Sequence, residues 1–266
     1  MKSMNKKSFF FFAIILFSCN NRNNDAANNN SYADMPEQEK KLREEIAKYP
    51  DSTLLTEDLV QYFRDNNNYS QAIAETENAL KKDSSSERLW YMKATLLFEN
   101  EDTLKAITAW ERIIKISPNP QYVKSLGFLY AITKDPLALA MSDLLMLSSK
   151  TDALFIKGIY YSKIGEKENA ILLFEQSLSI DYKNLMAYRE KAINEYDLGK
   201  YVDALKTLEL AIAVKKTYDE AYYWMGRCYE KLGKKEEAVD NYKMALQISP
   251  DYVEPKDALG KMGIVQ

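Results

Sequence analysis

The chain has 266 residues, of which 46% are hydrophobic and 28% charged, a composition typical of one or two folded domains. It contains no histidine and only two cysteines, which excludes imidazole catalysis, histidine-ligated zinc, a disulfide framework and a cysteine-based zinc cluster. We therefore expect neither an enzyme nor a cofactor. The formal charge of −3 argues against a nucleic-acid partner, because a protein that binds nucleic acid normally carries an excess of basic residues. The scarcity of glycine and proline favours a helical chain.

Residues 1–18 have the features of a signal peptide. Three lysines precede the apolar run Phe9–Phe17, which is too short to span a bilayer, since a spanning helix needs about 20 apolar residues. The run ends in LFSC at residues 16–19, and this segment resembles the lipobox of bacterial lipoproteins. The resemblance implies cleavage before Cys19 and acylation of its thiol, for example with palmitate. An ordinary cleaved signal peptide or an uncleaved anchor, with Cys19 incidental, are the alternatives.

Residues 19–36 are predicted to form a flexible tether. Seven of the eleven residues from Asn20 to Asn30 are asparagine, and this stretch has almost no apolar surface to bury. Removal of the signal peptide would take away three lysines and no acid, so the charge would change from −3 to −3 − 3 = −6. Because an acidic body is not attracted to anionic lipids, the lipid would hold the protein in the cell envelope. By analogy, asparagine after the cysteine favours the outer membrane.

A period of 34 residues runs through the rest of the chain. Gly165, Gly199 and Gly233 are spaced by this interval, and so are Ala170, Ala204 and Ala238. The copy from residue 221 to residue 250 resembles the tetratricopeptide repeat, whose pattern combines aromatic, small and proline positions at fixed offsets. The residues that match this pattern are Tyr222, Met225, Gly226, Tyr229, Ala238, Tyr242, Ala245 and Pro250.

The resemblance implies an all-α fold, a right-handed α-solenoid of about six helix-turn-helix repeats with capping helices, within residues 37–266. Small residues such as Gly158 and Gly226 would let the two helices of a repeat approach closely, and aromatic rings would fill the hole presented by the neighbouring pair. The glycines at the end of the first helices would adopt the left-handed conformation. In the short third repeat, Asp135 and Pro136 would start the second helix. The predicted repeats are 53–86, 87–120, 121–150, 151–184, 185–218 and 219–252, with a C-terminal cap at 253–266.

Tetratricopeptide arrays are binding scaffolds, so the resemblance implies that inward-facing residues of the first helices line a concave groove. These positions carry aromatic residues with two arginines, a composition typical of protein-binding hot spots. An extended peptide or a helix with acidic or C-terminal groups would suit the arginines. Alternatively, many of the aromatic rings belong to the core. The predicted groove residues are Tyr91, Phe98, Phe128, Phe155, Arg189, Tyr196, Tyr223 and Arg227.

These features together predict a lipid-anchored scaffold or adaptor. It would bind protein or peptide partners in the cell envelope and help to organise an envelope complex. Two alternatives remain open, namely a structural lipoprotein that assembles through the ends of its solenoid, and a lipoprotein that binds a small ligand in an inner cleft.

Overall fold

The computed structural model describes residues 35–264, and the regular elements in this range are fourteen α-helices without a β-strand. The predicted all-α class is therefore confirmed. Cys19, the signal peptide and most of the tether lie outside the described residues. The helices are α1 Glu37–Lys48, α2 Thr53–Asp65, α3 Tyr69–Lys82, α4 Glu87–Glu99, α5 Thr103–Ile116, α6 Pro120–Ile132, α7 Leu137–Leu145, α8 Lys150–Ile164, α9 Lys167–Ile180, α10 Leu185–Asp197, α11 Tyr201–Val214, α12 Asp219–Lys231, α13 Lys235–Ile248 and α14 Val253–Lys261.

The chain divides into two compact units with the boundary after Leu59. In the first unit, α1 has acidic residues in its first turn and Lys48 in its last turn, which complements the helix dipole, and none of its residues is fully buried. In the second unit, consecutive helices pack in pairs, α4 on α5, α6 on α7, α8 on α9, α10 on α11 and α12 on α13. The first helices of neighbouring pairs are also in contact, and α10, for example, packs against both α8 and α12. This is the arrangement of an α-solenoid.

Small residues set how closely the paired helices approach. A Cβ added to Gly226 would lie 2.5 Å from the ring of Tyr242, and one added to Gly158 would lie 2.7 Å from the ring of Phe174. Both rings are completely buried. Each ring belongs to the second helix of the same repeat, so the prediction that rings fill holes of the neighbouring pair is wrong for these two. The glycine is needed because the partner ring occupies the space of its missing side chain.

The turns within the repeats use the left-handed conformation. Gly165, Gly199 and Gly233 have φ angles of 95°, 76° and 73°, which confirms the predicted glycine turns. The earlier repeats use non-glycine residues for the same purpose, and their φ angles lie between 56° and 62°. Those residues are Asn67, Glu101 and Lys134.

The third pair is shorter than the others because α7 has only nine residues. The carboxylate of Asp135 accepts a hydrogen bond of 2.9 Å from the backbone N–H of Leu137, and Pro136 has helical backbone angles. The predicted start is therefore one residue too early, because Pro136 is the N-cap residue and the regular helix begins at Leu137.

The last pair is covered by α14. Leu259 of this helix is completely buried in a cluster with Val239, Tyr242 and Leu246 of α13. α14 therefore shields apolar surface that a terminal repeat would otherwise expose. None of the helices in the described range combines the length and the apolar character that a bilayer crossing requires.

Candidate functional site

The predicted groove residues lie on one face of the first helices of the repeats. Four of them, Tyr91, Phe155, Arg189 and Tyr223, occupy the same repeat position, which in α6 carries Lys124, a residue outside the predicted set. From α4 to α12 the intervals along this position are 33, 31, 34 and 34 residues. Side chains four and seven positions later in a helix fall on the same face. We call this surface the first-helix face, and its members at those later positions are Phe98, Phe128, Tyr196 and Arg227.

At the C-terminal end of this face, aromatic rings surround Arg227. Its guanidinium carbon lies 5.3 Å from the ring centre of Tyr196, 5.9 Å from that of Tyr223 and 5.5 Å from that of Trp224. The guanidinium also donates hydrogen bonds to the hydroxyl oxygens of Tyr223, at 2.9 Å, and Tyr196, at 3.2 Å. These four residues form what we call the Arg227 cage. Cation–π contacts and hydrogen bonds together hold the guanidinium in one orientation.

No carboxylate of residues 35–264 forms an ion pair with Arg227, which bonds only to the two tyrosines. Arginine remains protonated in proteins, so a half-buried positive charge lies on this face without a bonded counter-charge. Such a guanidinium can still donate hydrogen bonds to a carboxylate of another molecule.

Arg189 differs from this, although it lies on the same face. Its guanidinium donates to both carboxylate oxygens of Glu220, at 2.8 and 2.9 Å, and to Glu190 at 2.9 Å. Tyr218 donates a further hydrogen bond to Glu220 at 2.9 Å. The arginine and the two glutamates together carry a charge of −1. The positive charge of Arg189 is therefore neutralised by carboxylates of the chain itself. These surroundings do not support the expected contact between Arg189 and an acidic group of a partner.

Phe128 and Phe155 line a cavity of about 270 Å³ between α6, α8 and the start of α10. The Nζ of Lys124 lies 2.7 Å from the carboxylate of Asp152 beside it, so the charges here are paired. Phe155 is only 7% exposed, and its ring centre is 5.7 Å from that of Phe174, so this residue belongs to the core as well as to the cavity wall. We call this space the apolar cavity, and its lining residues are Lys124, Ser125, Phe128, Asp152, Phe155, Ile156, Asn184 and Met186.

Tyr91 belongs to a separate aromatic group near the N-terminal end of the second unit. Its ring lies 5.5 Å from that of Trp110 and 6.0 Å from that of Tyr122. The hydroxyl of Tyr122 donates to Glu87, and this hydrogen bond raises the pKa of Tyr122 to about 12. Phe98 is exposed near the end of α4. The structure thus places the predicted residues in several local groups along one face.

Comparison with known proteins identifies the repeat. Family models of the tetratricopeptide repeat match residues 57–120, 151–184 and 219–252. The chain carries tetratricopeptide repeats.

The relatives of this tetratricopeptide chain include mouse RNA polymerase II-associated protein 3, which is 31% identical over 115 residues, covering 43% of this chain and 17% of that protein. The DnaJ homolog subfamily C member 7 homolog of Dictyostelium discoideum is 25% identical over 208 residues, covering 69% of this chain and 38% of the relative. The chain therefore spans less than two fifths of the length of either protein.

Two solved structures share the fold. A tetratricopeptide repeat protein from Parabacteroides merdae has a TM-score of 0.70 at 19% identity, covering 84% of this chain and 90% of its own. PilW, a type IV pilus biogenesis factor, has a TM-score of 0.60 at 21% identity, covering 77% of this chain and 97% of its own. At these identities the similarity concerns the fold alone.

Part of the tetratricopeptide surface was not predicted from the sequence. Trp224 completes the Arg227 cage, yet it lies one position away from the repeat positions that are predicted to face inward. Its spacing of three residues from Arg227 was an available signal, because residues three apart are neighbours on a helix. Met186 and Asn184 line the apolar cavity from the start of α10, where no periodic signal marks them.

The described cysteine is a buried core residue. Cys228 is completely buried, and burial raises the pKa of its thiol to about 12, so it packs as a small core residue. Within residues 35–264, no group of three or more cysteine, aspartate or glutamate side chains is placed to hold a metal ion.

Proposed function

We propose that this tetratricopeptide chain is a scaffold that binds a protein or peptide partner through its first-helix face. The Arg227 cage would contact an acidic side chain or a C-terminal carboxylate of that partner. One observation carries the proposal. Arg227 is half-buried, held by Tyr196 and Tyr223, and bonded to no carboxylate of the described chain.

The chemistry of the cage supports a macromolecular partner. A planar guanidinium held against aromatic rings is well suited to recognise carboxylates, because its donors match the two oxygens and are already oriented. Tyrosine, tryptophan and arginine dominate the hot spots of protein interfaces. The cage combines all three residue types in one place.

We further propose that the protein is attached to a membrane of the cell envelope by a lipid on Cys19, with the outer membrane favoured. The support is the LFSC segment at residues 16–19 after an apolar run and the polar stretch that follows it. A Cys19→Ser variant should leave the membrane fraction or accumulate as an uncleaved precursor, while Asn24→Ser in the same stretch should behave as wild type. Normal processing and unchanged membrane retention of Cys19→Ser would refute the anchor.

The binding function is tested by affinity capture from envelope extract. The wild-type chain should retain a partner that Tyr223→Ala and Arg227→Ala lose, whereas Arg112→Ala, an exposed arginine of the second-helix α5, should retain it. Capture of the same proteins by all four chains would contradict the assignment of the first-helix face.

A further inference from the structure

The first-helix face offers a second contact point besides the Arg227 cage. The apolar cavity has a volume of about 270 Å³ and is walled by Phe128, Phe155 and Ile156. Pockets for drug-sized ligands measure roughly 300–1,000 Å³, so this cavity is small for a whole ligand of that size. A cavity of about 150 Å³ already accommodates benzene. The cavity therefore fits one large apolar side chain, such as phenylalanine, leucine or methionine.

The surface between the two contact points carries a small negative charge. Arg189 of α10 lies at the equivalent position between Phe155 of α8 and Tyr223 of α12. Its two carboxylate partners, Glu190 and Glu220, leave a charge of −1 at this place. A peptide that crosses α10 would therefore meet a slightly negative surface, which favours neutral or basic residues in its middle part.

The packing of the helices sets the distance between the two points. α8 packs on α10, and α10 packs on α12. Packed helices lie about 8–10 Å apart, so the two steps from α8 to α12 cover roughly 16–20 Å. An extended peptide advances about 3.3 Å per residue. The span thus corresponds to about five or six residues.

We propose that the partner is an extended peptide in which a large apolar residue and an acidic residue, or the C-terminal carboxylate, lie about five or six positions apart. The residues between them are neutral or basic. The apolar side chain enters the cavity at Phe128 and Phe155, while the acidic group bonds to Arg227. This inference rests on the proposed function, because both contact points belong to the first-helix face.

A series of synthetic peptides tests the spacing. Each labelled peptide carries one phenylalanine and one glutamate in a serine–glycine background, separated by two, five, six or ten positions and made in both orders. Binding to the full chain is measured by fluorescence anisotropy. We expect the peptides with a separation of five or six to bind at least tenfold more tightly than the others in one of the two orders. Two aspartates placed between the anchors should weaken binding severalfold.

Matched variants separate the two contacts. Met186→Trp would fill the cavity from its exposed side and should remove the advantage of phenylalanine over alanine, a loss of about tenfold or more. Met244→Trp, on an exposed position of α13, should bind as wild type. Arg227→Met should remove the advantage of glutamate over glutamine, whereas Arg112→Met should not.

The outcomes distinguish this inference from the proposed function. Equal affinity at every separation, or an effect of Arg227→Met without an effect of Met186→Trp, would overturn the two-point arrangement and leave the proposed function standing. Equal binding of every peptide to all variants would overturn both assignments. If no peptide binds while affinity capture still depends on Arg227, the two-point peptide is refuted and the scaffold function is retained.

Discussion

The buried ion pair of Lys191 and Glu195 in α10 permits a quantitative prediction about stability. The Nζ of Lys191 lies 2.7 Å from Glu195, 3.0 Å from the hydroxyl of Thr207 and 3.2 Å from Glu175. Glu195 is only 4% exposed, and Thr207 donates to its second oxygen at 2.8 Å. Every charged atom of the pair therefore has a partner in the folded chain.

The same positions are apolar or aromatic in the last repeat, where residues 34 further along are Met225 and Tyr229. Lys191→Met should destabilise the fold by about 3–5 kcal/mol, because the carboxylate of Glu195 stays buried without its counter-charge. The double variant Lys191→Met, Glu195→Tyr recreates the pair of the last repeat. Replacing a whole buried ion pair by apolar groups is often neutral or stabilising by about 1–4 kcal/mol, so the double variant should be at least as stable as wild type.

Denaturant unfolding followed by circular dichroism, with all four members of the double-mutant cycle, measures these free energies. Lys206→Met is the matched control, since its ion pair with Asp203 is exposed and should contribute less than about 1 kcal/mol. A cost below about 1 kcal/mol for Lys191→Met, or additive single-variant effects, would refute the reasoning.

Three further predictions follow from the described contacts. Gly226→Ala should destabilise the fold by about 1–3 kcal/mol, because its new methyl group would lie 2.5 Å from the ring of Tyr242. Thermal unfolding measures this loss, and an unchanged melting temperature would contradict the close packing. Cys228 should react with a thiol reagent at pH 8 only on unfolding, since it is buried and its pKa is raised to about 12; fast labelling of a Cys19→Ser chain in native buffer would contradict this. The hydrogen bond to Glu87 raises the pKa of Tyr122 to about 12, whereas a free tyrosine has a pKa of about 10. The contribution of this hydrogen bond to stability is therefore complete below about pH 10 and is lost as the pH rises through about 12. Tyr122→Phe should therefore lose less stability than wild type between pH 10 and 12, and identical pH profiles in denaturant titrations would count against the hydrogen bond.

The repeat period predicts the helical class and the glycine turns because these depend on residues with few substitutes. Gly165, Gly199 and Gly233 adopt a conformation that other residues reach only at a cost, so their spacing marks the turns. The turns at Glu101 and Lys134 could not be predicted in this way, because residues other than glycine adopt the left-handed backbone conformation there. A missing glycine is therefore weak evidence that a turn is missing.

The site was harder to predict because a residue's position on a face does not determine its partners. Arg189 and Arg227 lie on the same face, yet the first is bonded to two glutamates and the second to two tyrosines. The difference arises mainly from Glu220, 31 residues away from Arg189 on another helix. Phe155 likewise has the predicted position but is largely in the core. Periodicity places a side chain, whereas its charge balance and burial depend on neighbours from other repeats.

The central claim, that Arg227 binds an acidic group of a partner, is tested most directly by one thermodynamic cycle. The affinities of an acidic peptide from the series and of its glutamine counterpart are measured for wild type and Arg227→Met. A hydrogen bond to a charged group contributes about 1.5–3 kcal/mol, so replacing glutamate by glutamine should weaken binding to wild type by about tenfold or more and leave Arg227→Met unaffected. An equal loss in both chains, or no loss in wild type, would contradict the account.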